Sequence, residues 1–444
     1  MTARYKKPLA ASPDPDTAAI RLGKLLDDDQ ARNWIETLPD ELLADFIHLI
    51  AYSHFLYRHF SRHADSIELL TGDRQERFVD PGQLDGPEEL RAWKYRELLR
   101  ISWLDLRSAI PYGDILRQLS QLAQSVIRQV LEWIVRDRDY PRFMTHAVPF
   151  AVIAMGKLGA RELNFSSDID LIFVGADETD IEGDISDYQA TVVHQIRQFN
   201  RVMEQVTEEG FLYRVDLKLR PWGSSGPLIL PVEEMEHYYE ATKESWERFA
   251  WLRARVVAGH APIGESAIDC LQPFIYRRTL GSDDLQRFLQ IKHDMAKQRQ
   301  KAGNWNVKLG EGGIRDIEFF LQMLQIVNAH QHPVLKTTNT LSLLEGLVSE
   351  GFVLEDDGDR IRDSYLFLRR LENRLQMVDE RQTHQLPDAE EQRVRIASSL
   401  GFGRHNDDNT LKSFNRALDR HRNIARSCFE KILPENHSVE TNTG

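Results

Sequence analysis

The sequence predicts an α+β fold in which a small mixed sheet is flanked by N- and C-terminal helical domains. Apolar residues recur at helical spacing over 17–139 and again over 261–434. Between these regions, short apolar runs that end at glycines or charged residues indicate strands. We therefore predict a helical region at 1–140, a sheet-containing core at 141–260, a helical domain at 261–434 and a flexible tail or linker at 435–444.

The amino-terminal region contains several amphipathic segments. Apolar residues share one helix face around 22–26, 42–47 and 116–130. Prolines and glycines at 81–87 interrupt this pattern. The region is therefore expected to be helical on both sides of that break.

The first half of the core contains two strands with a pair of carboxylates between them. An apolar strand at 151–155 ends at a glycine turn, and a polar segment then leads to Asp168 and Asp170, which flank one isoleucine. The apolar run 171–174 indicates a buried strand. The acidic stretch at 177–184 is expected to be a solvated loop, because its carboxylates lack the ordered spacing of metal ligands.

The second half of the core adds a helix and another strand. A helix is expected at 192–206 with Gly210 as its stop. The segment 211–219 then alternates as a strand, with Asp216 and Arg220 on its polar side. The order of the core is thus β-α-β-α-β followed by a helix.

The carboxy-terminal region is predicted to be helical, with a turn at 356–359. The segment 366–378 predicts an amphipathic helix, whose charged face is expected to be solvated. That face carries Arg369, Arg370, Glu372 and Arg374.

The three aspartates suggest a metal site. Side chains at i and i+2 of a strand share a face, so Asp168 and Asp170 point the same way. Clustered carboxylates attract hard divalent cations. If the strand of Asp216 lies beside the first pair, the three carboxylates complete a two-metal site. Two metals about 3.5–4 Å apart can clamp the attacking and leaving oxygens of an in-line phosphoryl displacement. Arg220 is then placed to neutralise phosphate. The alternative is an alternating surface strand with solvated charges.

Two glycine-containing turns are candidate phosphate sites. Gly156 and Gly159 permit close backbone approach to a phosphate beside Lys157, although a simple tight turn explains them equally well. The second turn precedes an amphipathic helix, and a helix N-terminus attracts anions. A flexible helix entry is the alternative there. Its residues are Gly310, Gly312 and Gly313, with Lys308 and Arg315 nearby.

Composition excludes several other classes of protein. The 444 residues include 41% hydrophobic residues, enough to fill sizeable cores. A net charge of -13 argues against broad nucleic-acid binding, which needs a basic surface. Two cysteines, Cys270 and Cys428, are too few for a disulfide framework, so a cytoplasmic location is expected. No apolar run approaches the length of a membrane span, and no Gly-x-Ser-x-Gly hydrolase motif occurs.

The motifs resemble a known family. A glycine turn, an Asp-x-Asp strand and a third aspartate on a later strand are the pattern of a polymerase-beta-type nucleotidyltransferase core. Longer strings resemble the bifunctional glutamine synthetase adenylyltransferase/adenylyl-removing enzymes. These strings are GKLGARELNFSSDIDLIFV, YRVDLKLRPWGSSGPLILP, WERFAWLRARVVAG, KLGEGGIRDIEFFLQMLQ, LFLRRLENRLQ and QTHQLP.

The resemblance also implies a direction of reaction. Full-length members carry two nucleotidyltransferase modules, whereas this sequence has one Asp-x-Asp module and no internal repeat. The segments 164–168 and 223–228 resemble the amino-terminal, adenylyl-removing half. That half is expected to remove AMP from a tyrosine of glutamine synthetase with inorganic phosphate, giving ADP. The expected partners are adenylylated glutamine synthetase and the PII signal protein, with ADP or ATP as nucleotide and neither nucleic acid nor membrane.

The resemblance implies roles for individual residues. Asp168, Asp170 and Asp216 are expected to hold Mg²⁺ or Mn²⁺, with two ions as the expectation, and to be the catalytic residues. Phosphate or nucleotide binding is expected from Gly156, Lys157, Ser167, Arg220, Arg253, Arg255, Gly312, Gly313 and Arg315. The two arginines at 253 and 255 are expected on the helix after Trp246.

Three alternatives remain open from the sequence. The adenylylating direction, with ATP as donor, uses the same site chemistry. A nucleotidyltransferase acting on another acceptor would share the three aspartates but not the long helical flanks. A non-enzymatic regulatory module would be expected to lack one of the carboxylates, and none is missing.

Overall fold

The computed structural model describes residues 3–70, 78, 80–82, 84–136, 149–241, 245–276, 282–302, 306–404 and 407–431. The predicted boundary at 140 and the predicted tail at 435–444 lie outside these residues. Within the described ranges, none of the helices is both long and apolar enough to cross a membrane.

The described amino-terminal region is helical, as predicted. Asp14, Asp28 and Ser53 accept hydrogen bonds from backbone N–H groups at the starts of three of its helices, which stabilises those ends. A short 3₁₀ segment, Ala64–Leu70, follows the fifth helix. The helices are α1 (Ala3–Ala11), α2 (Pro15–Leu26), α3 (Asp29–Thr37), α4 (Asp40–Tyr52), α5 (His54–Arg62), α6 (Pro87–Arg107) and α7 (Tyr112–Val135).

The core alternates strands and helices. Its elements are β1 (Phe150–Ala154), α8 (Gly156–Gly159), β2 (Ile169–Gly175), α9 (Ile185–Glu204), β3 (Val215–Asp216), β4 (Ile229–Pro231), α10 (Val232–Ala241), α11 (Ser245–Trp251) and β5 (Arg255–Gly259). The described carboxy-terminal elements are α12 (Ala261–Cys270), α13 (Gln272–Ile275), α14 (Ser282–Ala302), α15 (Ile314–Asn328), α16 (Thr340–Ser349), α17 (Glu355–Met377), α18 (Glu390–Ser399) and α19 (Asp408–Lys431).

The strands form one small mixed sheet, so the predicted α+β class is confirmed. Strand β1 pairs antiparallel with both β2 and β5, and β2 pairs parallel with β3 and β4. Strand β1 occupies one edge of β2. On the other edge, β3 pairs with the start of β2 and β4 pairs with its end. This arrangement brings the start of β2 beside β3.

Several local predictions were wrong. The expected strand 211–219 is reduced to Val215–Asp216, because Leu212 and Tyr213 donate their backbone N–H groups to Met203 at the end of α9. That helix ends at Glu204 rather than near Gly210. The segment of Arg255 is strand β5 and not a helix, since it pairs with β1.

The prediction of a turn at 356–359 in the carboxy-terminal region was also wrong. These residues belong to the first turns of α17, where Glu355, Asp356 and Asp357 complement the positive end of the helix dipole. The acidic run therefore starts a helix instead of interrupting one.

One hydrophobic core connects the three predicted regions. A single cluster of buried apolar residues includes members of the amino-terminal helices, the sheet and the carboxy-terminal helices. Phe55 of α5 packs edge-on against Phe165, whose ring centroid lies 5.6 Å away. Phe249 of α11 packs against Phe319 of α15 at 5.1 Å. The helices on both sides thus fix the position of the sheet.

Candidate active site

The three aspartates meet at the start of β2. In the parallel pairing of β2 with β3, Asp170 lies opposite Asp216, and Ile169 lies opposite Val215. Asp168 immediately precedes β2, and the backbone N–H of Ile169 donates to the carbonyl oxygen of Arg214 at 3.0 Å. The predicted adjacency of the two strands is therefore confirmed.

The glycine turn after β1 packs directly on one of these carboxylates. Gly156 has φ +54°, and a Cβ atom there would lie 2.6 Å from Oδ2 of Asp170. The Met155 N–H donates to the Asp170 carbonyl oxygen at 2.9 Å. A Cβ at Gly159 would overlap the carbonyl oxygen of Arg253. Both glycines thus permit close approach within the protein, and the first of them contacts a predicted metal ligand.

The environment of Asp170 disfavours an isolated negative charge. Burial raises its pKa to about 6, and repulsion by Asp216 and Asp168 contributes in the same direction. Lys308 and Lys157 oppose the increase. The carboxylates are therefore close enough to repel one another, which is the electrostatic condition under which a bound cation is stabilising.

The other two carboxylates are paired with protein cations. Arg214 Nε donates to Asp168, whose other oxygen accepts from Gln382 Nε2 at 3.0 Å. Asp216 accepts from Lys218 twice, from the backbone N–H at 2.8 Å and from Nζ at 3.0 Å. In this arrangement, no three Asp, Glu, His or Cys side chains of the described chain are grouped for one metal ion.

The residues present nevertheless fit a hard divalent cation. The donor set consists of carboxylate oxygens, which Mg²⁺ and Mn²⁺ prefer, and the strand pairing holds their backbones together. Arg214 and Lys218 supply the compensating positive charge in the conformation described here. An open cavity of about 420 Å³ lies at this site. It is lined by Asp168, Arg214, Asp216, Lys218, Arg220 and Ser224, among others.

Arg220 lines this cavity, but backbone carbonyls accept from its guanidinium. Its Nη1 donates to Leu217 at 2.7 Å, and its Nη2 and Nε donate to Ser224, Gly226 and Pro227. The side chain therefore holds the loop between β3 and β4 in shape.

Lys157 faces a buried glutamate of α17. Its Nζ donates to both carboxylate oxygens of Glu372, at 2.9 and 3.0 Å. Burial lowers the pKa of Lys157 to about 8, while the Glu372 carboxylate opposes that change. The predicted phosphate-binding charge of Lys157 is thus already paired within the protein.

Helix α17 also holds the segment that leads to the aspartates. Asn164 Nδ2 donates to Glu372, the Phe165 N–H donates to Asn373 Oδ1 at 2.8 Å, and the Ser166 N–H donates to Gln376 Oε1 at 3.0 Å. These acceptors follow helical spacing on one face of α17. The backbone before Asp168 is therefore fixed by a helix that is more than 200 residues distant in sequence.

The prediction that the charged face of this helix is solvated was wrong. The side chains of Arg369, Glu372 and Arg374 are fully buried. Arg369 donates to the carbonyl oxygen of Glu162 and to Asn164, and Arg374 donates to Asp105. These three side chains are buried because they pack on the core and on α6, whereas the side chain of Arg370 is 25% exposed.

The remaining predicted phosphate ligands form hydrogen bonds with other groups of the protein. Ser167 Oγ accepts from the Asn164 N–H at 3.2 Å. Arg253 donates to Glu318 and Thr340, whereas Arg255 donates to Gln124 and to the last carbonyls of α8. These two arginines connect the core to its helical neighbours.

The second glycine turn is used for packing. A Cβ at Gly312 would lie 2.3 Å from the carbonyl oxygen of Arg422 in α19, and the Gly312 N–H donates to Asp316. Gly313 immediately precedes α15, and Arg315 donates to Gln298 of α14. Gln382, which donates to Asp168, was not among the predicted site residues, and its only signal in the sequence is its place at the start of the string QTHQLP.

The mixed sheet carries Asp-x-Asp where β2 begins and a third aspartate on the parallel neighbour β3. This arrangement agrees with the predicted polymerase-beta-type nucleotidyltransferase core. Residues 45–269 match the family model described as glutamate-ammonia ligase adenylyltransferase, and the chain belongs to that family. Residues 287–433 match the model described as GlnD PII-uridylyltransferase.

Curated relatives agree with this family. The chain is 37% identical over 357 residues to the bifunctional glutamine synthetase adenylyltransferase/adenylyl-removing enzyme of Thioalkalivibrio sulfidiphilus, covering 78% of this chain and 36% of the relative. It is 36% identical to the same enzyme of Hahella chejuensis, with the same coverage. For Methylococcus capsulatus the identity is 35%, over 82% of this chain and 39% of the relative. The chain thus spans less than two-fifths of the length of these relatives.

Proposed function

We propose that this chain removes AMP from an adenylylated tyrosine of glutamine synthetase by phosphorolysis, giving ADP and thereby regulating nitrogen assimilation. The observation that carries the proposal is the pairing of Asp170 with Asp216 beside Asp168, because clustered carboxylates can hold the metal ions that stabilise an in-line phosphoryl transfer. The names of the relatives support the substrate. The resemblance of 164–168 and 223–228 to the removing half supports the direction.

In the proposed reaction, an oxygen of inorganic phosphate attacks the phosphorus of the AMP group. The bond to the tyrosine oxygen breaks, that oxygen takes up a proton, and ADP is released. The three aspartates would hold Mg²⁺ or Mn²⁺, which offsets the charge of the two anionic reactants. Gln382 orients Asp168, and Gly156 leaves room for the Asp170 carboxylate. The contacts of α17 keep this arrangement rigid, as positioning of reactants requires.

The PII signal protein is proposed as a regulatory partner. The match of 287–433 to a PII-uridylyltransferase model supports a contact through the carboxy-terminal helices. These helices also contribute Glu372, which binds the Lys157 ammonium beside the site. A partner bound there is therefore able to change the rate without supplying a catalytic group.

The direction of reaction is tested by the identity of the product. Incubated with radiolabelled AMP–glutamine synthetase and Mg²⁺, the chain is expected to release labelled ADP, and only when inorganic phosphate is supplied. Chromatography of the released nucleotide distinguishes the possibilities. Labelled AMP would mean that water is the nucleophile. Efficient transfer of label from ATP onto unmodified glutamine synthetase would instead show the adenylylating direction.

Metal dependence and the absence of a thiol nucleophile are tested together. EDTA is expected to abolish turnover, and added Mg²⁺ or Mn²⁺ to restore it. Burial raises the pKa of Cys270 to about 11 and that of Cys428 to about 12, so both thiols are protonated at neutral pH. The double variant Cys270→Ala/Cys428→Ala is therefore expected to keep wild-type turnover per folded molecule. Full activity in EDTA, or an inactive but folded double variant, would contradict the mechanism.

A further inference from the structure

Most of the cationic side chains around the three aspartates already donate hydrogen bonds to acceptors within the protein. Lys157 is bonded to Glu372, Arg214 to Asp168, Lys218 to Asp216, and Arg220 to backbone carbonyls. A second anion entering the site needs a positive charge that is not already paired. Phosphorolysis brings inorganic phosphate next to three carboxylates. Whether this phosphate binds therefore depends on a positive side chain that is not already paired.

We propose that Lys308 is the residue that binds the phosphate group of the anionic reactant at this site. The proposal rests on the function proposed above in taking inorganic phosphate as that reactant. The terminal phosphate of a nucleoside diphosphate or triphosphate has the same chemistry. A lysine ammonium is a compact, mobile point charge with three donors, which suits a phosphate group.

The backbone around Lys308 is held by hydrogen bonds within its own loop and with the start of α15. Asn306 Oδ1 accepts from the N–H groups of Lys308 and Leu309, at 3.1 and 2.7 Å. The carbonyl oxygen of Lys308 accepts from the Arg315 N–H at 3.2 Å, which ties the loop to the start of α15. The loop is therefore ordered at both ends.

The same loop is connected to the residue that orients Asp168. The Val307 N–H donates to the carbonyl oxygen of His384 at 2.8 Å, and Asn306 forms a β-bridge with Gln385. Two residues before His384, Gln382 donates to Asp168. The chain thus places Lys308 one short segment away from the carboxylate cluster.

The Lys308 side chain is partly buried. Its charge opposes the increase in the pKa of Asp170 that burial causes, and it also acts on Lys157 and Glu318. No hydrogen bond or ion pair involves its Nζ among the described residues, in contrast to Lys157 and Lys218. An ammonium that acts on Asp170 and has no acceptor in the described part of the chain is available to bind a phosphate that enters at this site.

The test measures phosphate binding separately from turnover. With Mg²⁺ present, thermal unfolding of wild-type protein, Lys308→Met and Lys308→Arg is followed against increasing inorganic phosphate, and separately against ADP. Loss of one charge-assisted contact is expected to weaken binding roughly 10- to 100-fold in Lys308→Met. Lys308→Arg is expected to retain most of the binding. Lys297→Met, an exposed lysine of α14, is the matched control and is expected to bind as wild type.

The two ligands distinguish the source of the phosphate group. Weakened binding of inorganic phosphate in Lys308→Met supports the assignment to the attacking phosphate, and weakened binding of ADP alone assigns Lys308 to the nucleotide. Unchanged affinity for both ligands overturns the proposal. Wild-type protein that binds phosphate through Lys308 but releases no AMP would refute the proposed reaction and leave this inference standing. Where turnover occurs, Lys308→Met is expected to raise the KM for phosphate more than it lowers kcat.

Discussion

Replacing Asp170 with Asn is expected to reduce turnover by at least about 10²-fold while leaving the fold intact. The side chain keeps its shape against Gly156, so little packing changes. The substitution removes one negative charge from a cluster in which Asp216 and Asp168 already repel Asp170, and so weakens the site for a cation. AMP release at saturating phosphate and Mg²⁺ measures the loss. Circular dichroism and the thermal midpoint check the fold.

The same result is expected for Asp168→Asn and Asp216→Asn. Asp180→Asn is the matched control, since this carboxylate lies exposed in the acidic stretch 177–184. Near-full activity of any of the three variants at saturating Mg²⁺ would remove that residue from the proposed metal site. A variant that is inactive because it is unfolded decides nothing about the chemistry, and the midpoint measurement separates that case.

Replacing Glu372 with Ala is expected to lower the free energy of unfolding by about 3–5 kcal/mol, the usual cost of removing one partner of a buried ion pair. The carboxylate is fully buried, and it accepts from Lys157 and Asn164. Arg369 Nε lies 3.4 Å from it, and His384 Nδ1 lies at 2.8 Å. Without the carboxylate, two buried cations lose an acceptor together. Urea unfolding followed by tryptophan fluorescence measures the change.

Glu391→Ala provides the comparison for this experiment. Glu391 pairs with Arg395 on α18, but its side chain is 67% exposed, so the expected cost is at most about 1 kcal/mol. Glu372→Gln keeps the shape of the side chain and one acceptor oxygen. Its free energy of unfolding is expected to lie between those of wild type and Glu372→Ala. Equal unfolding midpoints for Glu372→Ala and Glu391→Ala would contradict the proposed role of the buried carboxylate.

Local sequence patterns were sufficient for the carboxylate pair and its surroundings. Strand periodicity predicts that Asp168 and Asp170 share a side, and the glycine after β1 marks the turn that packs on Asp170. The prediction that Asp216 lies beside them was conditional on the pairing of β2 with β3, which are separated by α9 and by the loops on both sides of it. The class of reaction was likewise predicted from short contiguous strings, through their resemblance to a family.

The partners of charged residues were not predictable from these patterns. Arg220 was expected to face a phosphate, yet backbone carbonyls of its own loop accept from it. Arg255 was placed on a helix, but pairing with β1 makes its segment a strand. Propensity and spacing describe a segment by itself, and the competing acceptors or strands come from elsewhere in the chain.

The sequence by itself determined the fold class and the family, and it predicted a shared face for the aspartate pair. Only the tertiary structure decided that Arg369, Glu372 and Arg374 are buried, and that α17 holds the segment before Asp168. The physical reason is that helical periodicity defines the faces of a helix but not what covers them. A charged face packed against complementary groups more than 200 residues away has the same sequence pattern as one in water.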